Sequence, residues 1–239
     1  MNEVLKTIAA KYKDDIVHTA SELIRRNSQS LHEGEVAAYV QEKMKELGYD
    51  KVEVDRYGNV FGTMKGTGGG SSVMLNCHMD VVYEGDESLW PYPPYSGAIA
   101  EGRVWGRGAS DTKGTMAIQI YVPFLLKEAG LLPKGDIITA AVISEEIAGY
   151  GAMVHTQENR MLTDYAIVGE ATENDIAIGR PLLRRHHHYR QVLPRFYSPC
   201  GPQSLRFSGP VAAGTAKGPH GQRRTVRQLH YVLHPHYLL

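Results

Sequence analysis

"SVMLNCHMDVV", residues 72–82, sets a histidine and an aspartate two positions apart at the end of an apolar run. The run reads as a buried strand, and its last residues decide what kind of sheet the chain builds. In open α/β sheets, chemistry gathers beyond the carboxyl ends of the strands. The same arrangement recurs twice. "DIITAAVIS", 136–144, runs into Glu145 and Glu146, and "YAIVG", 165–169, runs into Glu170. "DIITAAVIS" is apolar on both faces, as a strand covered on both sides requires. A fourth acid, Asp111, lies in the glycine-rich loop "WGRGASDTKGT" just before a helical segment.

Working outward, helices alternate with these strands. Residues 3–26 read as one helix with Ile16, Ala20, Leu23 and Ile24 on a common face. Val36, Val40, Met44 and Leu47 mark a second helix, with Gly48 where a C-cap belongs. Strands are expected at "KVEVD" and "NVFGTMKG", and a loop at "GTGGGSS". Lys113 to about Leu131 reads as a helix with Ala117, Ile120, Phe124 and Leu125 inward, and Tyr150–Gln157 as a short one. The fold class is therefore α/β, with helices layered on both faces of a sheet.

At 239 residues the chain is long enough for one large domain or two small ones. It carries 26 basic and 26 acidic residues, so bulk charge points to no nucleic-acid or membrane partner. Two cysteines, Cys77 and Cys200, make no disulfide framework and fit a reducing compartment. "MNEVLKTIAAKYKDD" lacks a signal-peptide pattern, and no apolar run approaches the roughly 18 residues of a membrane span. A cytoplasmic location is the expectation.

These averages hide a break. Every acidic residue lies at or before Asp175, while Ile176–Leu239 holds nine arginines, one lysine and 7 of the 11 histidines. Residues 1–178 and 179–239 are accordingly read as separate segments, the second without helical or alternating periodicity.

Within the first segment, the acids at the strand ends need an explanation. Carboxylates gathered in one place repel each other and cost several kcal/mol to desolvate. A bound cation cancels that cost, and one imidazole with several carboxylates is a ligand set for zinc or a similar divalent ion. The adjacent Glu145–Glu146 pair leaves one acid over for general-base work.

Taken together and in order, "HMD", "GRGASDTKG", "SEE" and "VGE" resemble the co-catalytic di-zinc metallopeptidase and deacylase family. That family includes acetylornithine deacetylase, succinyl-diaminopimelate desuccinylase, aminoacylase and zinc-dependent carboxypeptidases. The resemblance covers residues 1 to about 178, the N-terminal part of such a catalytic domain. It implies two Zn2+ ions, with Co2+ or Mn2+ as substitutes. It implies His78, Asp111, Glu146 and Glu170 as metal ligands, with Asp111 bridging. Asp80 would hold the second ring nitrogen of His78, and Glu145 would take a proton from the attacking water. The implied substrate is an amide in a small N-acylated amino acid or short peptide.

Family members also insert a lid domain, through which they often form homodimers, and carry a further histidine ligand near their C-terminus. "RPLLRRHHHYRQVLPRFYSPCGP" resembles neither. Read one nucleotide later, the codons of His186–Tyr189 all become Ile or Thr, the composition of a strand. The expectation is a frameshift near Gly179, followed by a disordered, out-of-frame tail. The chain as printed is then expected to be weakly active, or to be a non-catalytic metal-binding relative. A nucleotide-binding reading of "GTGGGSS" or "GRGASDTKGT" stays open but is weak, since neither fits G-x-x-x-x-G-K-[ST].

Several neighbours take structural readings. Cys77 should face away from His78 into the core, and His155 should take an ordinary surface or packing role. Arg107 and Lys113 should pair with acids around the Asp111 loop. The loop 89–97, "LWPYPPYSG", should line or cover the cleft.

Overall fold

The structure is a computed structural model that describes residues 3–158 and 162–171 with their side chains, together with the backbone of 215–217, 223–225 and 227–228. The frameshift reading of 179–239 falls largely outside the described residues.

The chain opens with α1 (Glu3–Lys11), α2 (Lys13–Arg25) and α3 (Gly34–Glu46). The single helix expected over 3–26 is thus two, separated at Tyr12, whose φ of −99° and ψ of 11° leave the helical range. The Tyr12 ring meets Phe124 edge-on and its hydroxyl donates to Glu128, so tertiary contacts hold the break. Strands β1 (Lys51–Val54), β2 (Val60–Met64) and β3 (Val73–His78) follow. A hairpin of β4 (Ala98–Ala100) and β5 (Arg103–Trp105), which the sequence does not announce, leads into the Asp111 turn. Then come α4 (Gly114–Glu128), β6 (Ile137–Val142), α5 (Glu145–Ala148), α6 (Tyr150–Gln157) and β7 (Tyr165–Val168). Three short strands lie beyond: β8 (Thr215–Lys217), β9 (Arg223–Thr225) and β10 (Arg227–Gln228).

The main sheet has the order β1-β2-β6-β3-β7-β10. It is mixed: β1, β2 and β6 pair antiparallel, whereas β6, β3, β7 and β10 run parallel. The parallel set brings the carboxyl ends of β3, β6 and β7 to one edge.

Alternation along the strands sorts their side chains to two faces. On one face, Val60, Met64, Cys77 and Ala141 join Leu23 of α2, Val40 and Met44 of α3, and Met116 and Ile120 of α4 in the main core. On the other, Phe61, Met74, Ile138 and Ala140 form a smaller cluster. There the ring of His155 from α6 lies 4.7 Å from that of Phe61. Each fully buried aliphatic side chain contributes roughly 1.5–3 kcal/mol, so the larger cluster dominates stability. Cys77 lies in that cluster, 2% exposed, its thiol donating to Gln119. His155 is a packing residue against Phe61.

Candidate metal centre

β3 ends on His78, β6 runs through Ile143 and Ser144 into Glu145 and Glu146, and β7 ends just before Glu170. Asp111 arrives from the turn after β5. Gly108 takes a φ of 82°, and the Asp111–Thr112 peptide is cis. Thr112 donates its hydroxyl to the Gly169 carbonyl, tying that turn to the end of β7. Gly169 itself must be glycine. A Cβ there would stand 2.5 Å from the Cys77 sulfur and 2.6 Å from Thr115, so a side chain would push Glu170 off the sheet edge.

The structure brings the expected ligands together around one imidazole. Ligand atoms of His78, Asp111 and Glu146 lie within 4.8 Å of one another, and so do those of His78, Glu145 and Glu170. Glu170 therefore groups with Glu145 at His78, not with Asp111. His78 Nε2 lies 3.0 Å from Asp111 Oδ1. Its Nδ1 lies 2.8 Å from the backbone carbonyl of Asp80 and 3.4 Å from the Asp80 carboxylate.

Asp80 does more than face the ring. Its Oδ1 accepts the Glu145 N–H at 2.9 Å, and its Oδ2 accepts the Glu146 N–H at 3.2 Å and the Ser30 hydroxyl at 2.7 Å. One buried carboxylate thus ties the end of β3 to the turn after β6. Burial disfavours its charge, but the His78 ring, the Ser30 hydroxyl and the Glu145 N–H override it and hold Asp80 below the ordinary carboxylate value.

The electrostatics show a surplus of negative charge. Burial, then the Asp111 charge, pushes the Glu146 carboxyl up to about 7. Burial disfavours a charged His78, but the hydrogen bonds to Asp111 and Asp80 override it and push the imidazole up to about 11. An imidazole beside four carboxylates, one of them pushed up by burial and by its charged neighbours, fits a divalent cation of the zinc, cobalt or manganese kind.

Sequence reasoning placed Arg107 and Lys113 against acids; the Arg107 charge does act on the Glu84 carboxylate, and the structure corrects Lys113. The Arg107 guanidinium lies 5.0 Å over the Trp90 ring and approaches the Glu84 carbonyl. Lys113 is fully buried and donates to the Arg26 carbonyl at 2.7 Å. Burial, then the Arg26 charge, draws its amine down to about 7. Within the loop 89–97, Trp90 donates to the Glu84 carbonyl and Tyr95 to the Glu84 carboxylate, so these two rings stand over Glu84. Sequence reading also missed Ser30, Glu33 and Ser144. All three belong to the turns that carry the site, and the only signal for the first two was a polar stretch between two helices.

The sequence profile of peptidase family M20/M25/M40 matches residues 74–227. Among curated proteins, the chain is 31% identical over 138 residues to the uncharacterized protein YgeY of Escherichia coli K12, covering 58% of this chain and 34% of that protein. It is 30% identical over 179 residues to the N-formyl-4-amino-5-aminomethyl-2-methylpyrimidine deformylase of Bacillus subtilis, covering 70% and 41%. Among solved structures, the M20 family metallo-carboxypeptidase Sso-CP2 of Sulfolobus solfataricus superposes with a TM-score of 0.60 at 22% identity, covering 69% of this chain and 40% of that one. At that identity the likeness is one of fold. The chain thus spans about two fifths of the length of the relatives it matches.

Proposed function

Because the chain belongs to peptidase family M20/M25/M40, we propose that its site serves hydrolysis of an amide bond in a small N-acylated amino acid or short peptide. One observation carries this: His78, Asp111, Glu145, Glu146 and Glu170 come from three strand ends and one loop, yet their ligand atoms meet within 4.8 Å in two groups around the imidazole. His78, Asp111, Glu146 and Glu170 would hold divalent ions, zinc first among them. Such ions, when bound, supply Lewis acidity to an amide carbonyl.

The chain's own residues do the rest. Asp80 orients His78 and holds the amides of Glu145 and Glu146. Glu145 takes a proton from the attacking water as the new C–O bond forms. It returns that proton to the nitrogen as the C–N bond breaks, so it ends each cycle unchanged.

The test is hydrolysis of N-acetyl amino acids and dipeptides by the purified 239-residue chain with added zinc or cobalt. The expected result is turnover well below the roughly 10 s⁻¹ typical of enzymes, abolished by a chelator and by Glu145→Gln. Hydrolysis that survives the chelator contradicts the reading. Metal uptake without any turnover supports the second reading, a metal-binding relative without catalysis. We also propose the frameshift near Gly179, which resequencing of the locus checks; an uninterrupted frame with no upstream insertion or deletion overturns it.

A further inference from the structure

Between α2 and α3 runs "NSQSLHEG", residues 27–34, a polar connector that no part of the proposed chemistry uses directly. It braces both strand ends that carry the site. On the β3 side, the Ser28 hydroxyl donates to the Met79 carbonyl at 2.7 Å, the Val81 N–H donates to the Ser28 carbonyl at 3.0 Å, and the Ser30 hydroxyl holds Asp80. On the β6 side, Glu33 reaches Ser144. A single oxygen, Glu33 Oε1, accepts the Ser144 backbone N–H at 2.9 Å and the Ser144 hydroxyl at 3.1 Å.

This contact sits where the backbone needs it. Ser144 has a φ of 52° and a ψ of 40°, the left-handed region that a non-glycine residue adopts only at a cost. That turn carries the chain from the end of β6 into Glu145 and Glu146. It closes with the Tyr150 N–H on the Ser144 carbonyl and the Gly149 N–H on the Glu145 carbonyl. Glu33 is 5% exposed and Ser144 1%, so water does not replace the contact. A carboxylate is rarely buried without a specific partner, and the partner here is the residue preceding the two glutamates.

The geometry points to Glu33 as a positioning residue: through Ser144 it locks the left-handed turn, and so aims Glu145 and Glu146 at the metal centre. Asp80 holds the same turn from the other side, through the Glu145 and Glu146 amides. The two carboxylates act as jaws, one on Ser144 and one on the residues after it. Glu33 belongs to neither group of candidate ligands and reaches them only through Ser144. The relevance of this device to catalysis rests on the function proposed above; the locking of the turn does not.

The test compares amide hydrogen exchange in the purified full chain, wild type against Glu33→Ala and Glu33→Gln, with cobalt(II) binding as a second readout. In Glu33→Ala, the amides of residues 144–146 are expected to exchange at least about 10-fold faster, while β3 and β6 stay as protected as in wild type. Cobalt affinity should fall about 10–100-fold, the usual consequence of losing a group that orients ligands from outside. Glu33→Gln keeps an oxygen acceptor at the same place and should restore both toward wild type. Should Glu33→Ala not fold, Ser144→Ala, which removes one of the two donors, is expected to give the same local change at smaller size. The inference is overturned if residues 144–146 exchange as in wild type in Glu33→Ala and Ser144→Ala, if protection drops evenly across the sheet, or if Glu33→Gln behaves as Glu33→Ala. Absence of cobalt uptake by the wild type would instead defeat the proposed function, and the exchange comparison would still decide the role of Glu33.

Discussion

The side chains of His78 and Asp80 are 1% and 0% exposed, whereas Asp111, which meets the same imidazole, is 52% exposed. Half of the centre is therefore part of the folded sheet, and half is carried at its mouth. The buried half is tied by hydrogen bonds to Ser30, Glu145 and Glu146. The open half is tied by Thr112 to Gly169, and its carboxylate is left to His78 and to solvent. Folding fixes the first half; we propose that a cation fixes the second. Substitutions in the two halves should consequently fail in different ways.

The largest effect is expected at His78, which belongs to both halves. His78→Ala should weaken zinc or cobalt binding by more than about 100-fold, beyond what groups outside the ligand set usually cost. Asp111→Asn, by contrast, should weaken binding while leaving the denaturation midpoint of the metal-free chain nearly unchanged. Calorimetry on both variants would break the comparison if Asp111→Asn unfolded the chain, or if His78→Ala bound metal normally.

Next in size is Asp80→Ala. It strands two buried backbone N–H groups and the Ser30 hydroxyl, and should destabilise the metal-free chain by about 3 kcal/mol in urea denaturation. A loss confined to metal affinity, with unchanged stability, would place Asp80 in the wrong half.

Protons sharpen the comparison further. In the metal-free chain His78 is pushed up to about 11, above its ordinary 6.5, so it is charged at pH 8. Its contribution to stability is complete below about 6.5 and is lost as pH rises through about 11. A metal needs the neutral ring, so zinc binding at pH 8 should release about one proton from this site, and affinity should rise with pH. Calorimetry in buffers of differing ionisation enthalpy measures the release, and uptake without released protons would contradict the site.

The smallest effect is expected at Lys113. Its amine is drawn down to about 7 from an ordinary 10.5. Between those values the unfolded chain holds a proton that the folded chain has shed, so stability rises with pH across that window. Lys113→Met should flatten this rise, which urea denaturation between about pH 7 and 10 would read. An unaltered pH profile would count against the burial of this amine.

Strands with apolar sides and acidic ends were legible because period and polarity are local properties of the sequence. That made β3, β6 and β7 readable, and with them His78, Glu145, Glu146 and Glu170 as one set. Asp111 was legible only through its glycine-rich surroundings. The break at Tyr12 was not readable, because its contacts with Phe124 and Glu128 lie over a hundred residues away in sequence. For the same reason Lys113 looked like a partner for acids, while its amine crosses to the Arg26 carbonyl. Glu33 and Ser144 were hidden twice over: the first sits in a connector, and the second needs a left-handed backbone that nothing in "VISEE" announces. Acids gathered at strand ends carry their own signature; side chains that brace them show only when the fold closes.

The most direct test is metal stoichiometry on the purified chain. After dialysis against trace zinc, elemental analysis of the wild type should give two ions per chain, and His78→Ala should lose them. A wild-type chain that emerges free of metal, or a His78→Ala chain carrying as much as the wild type, would contradict a divalent centre built on this imidazole.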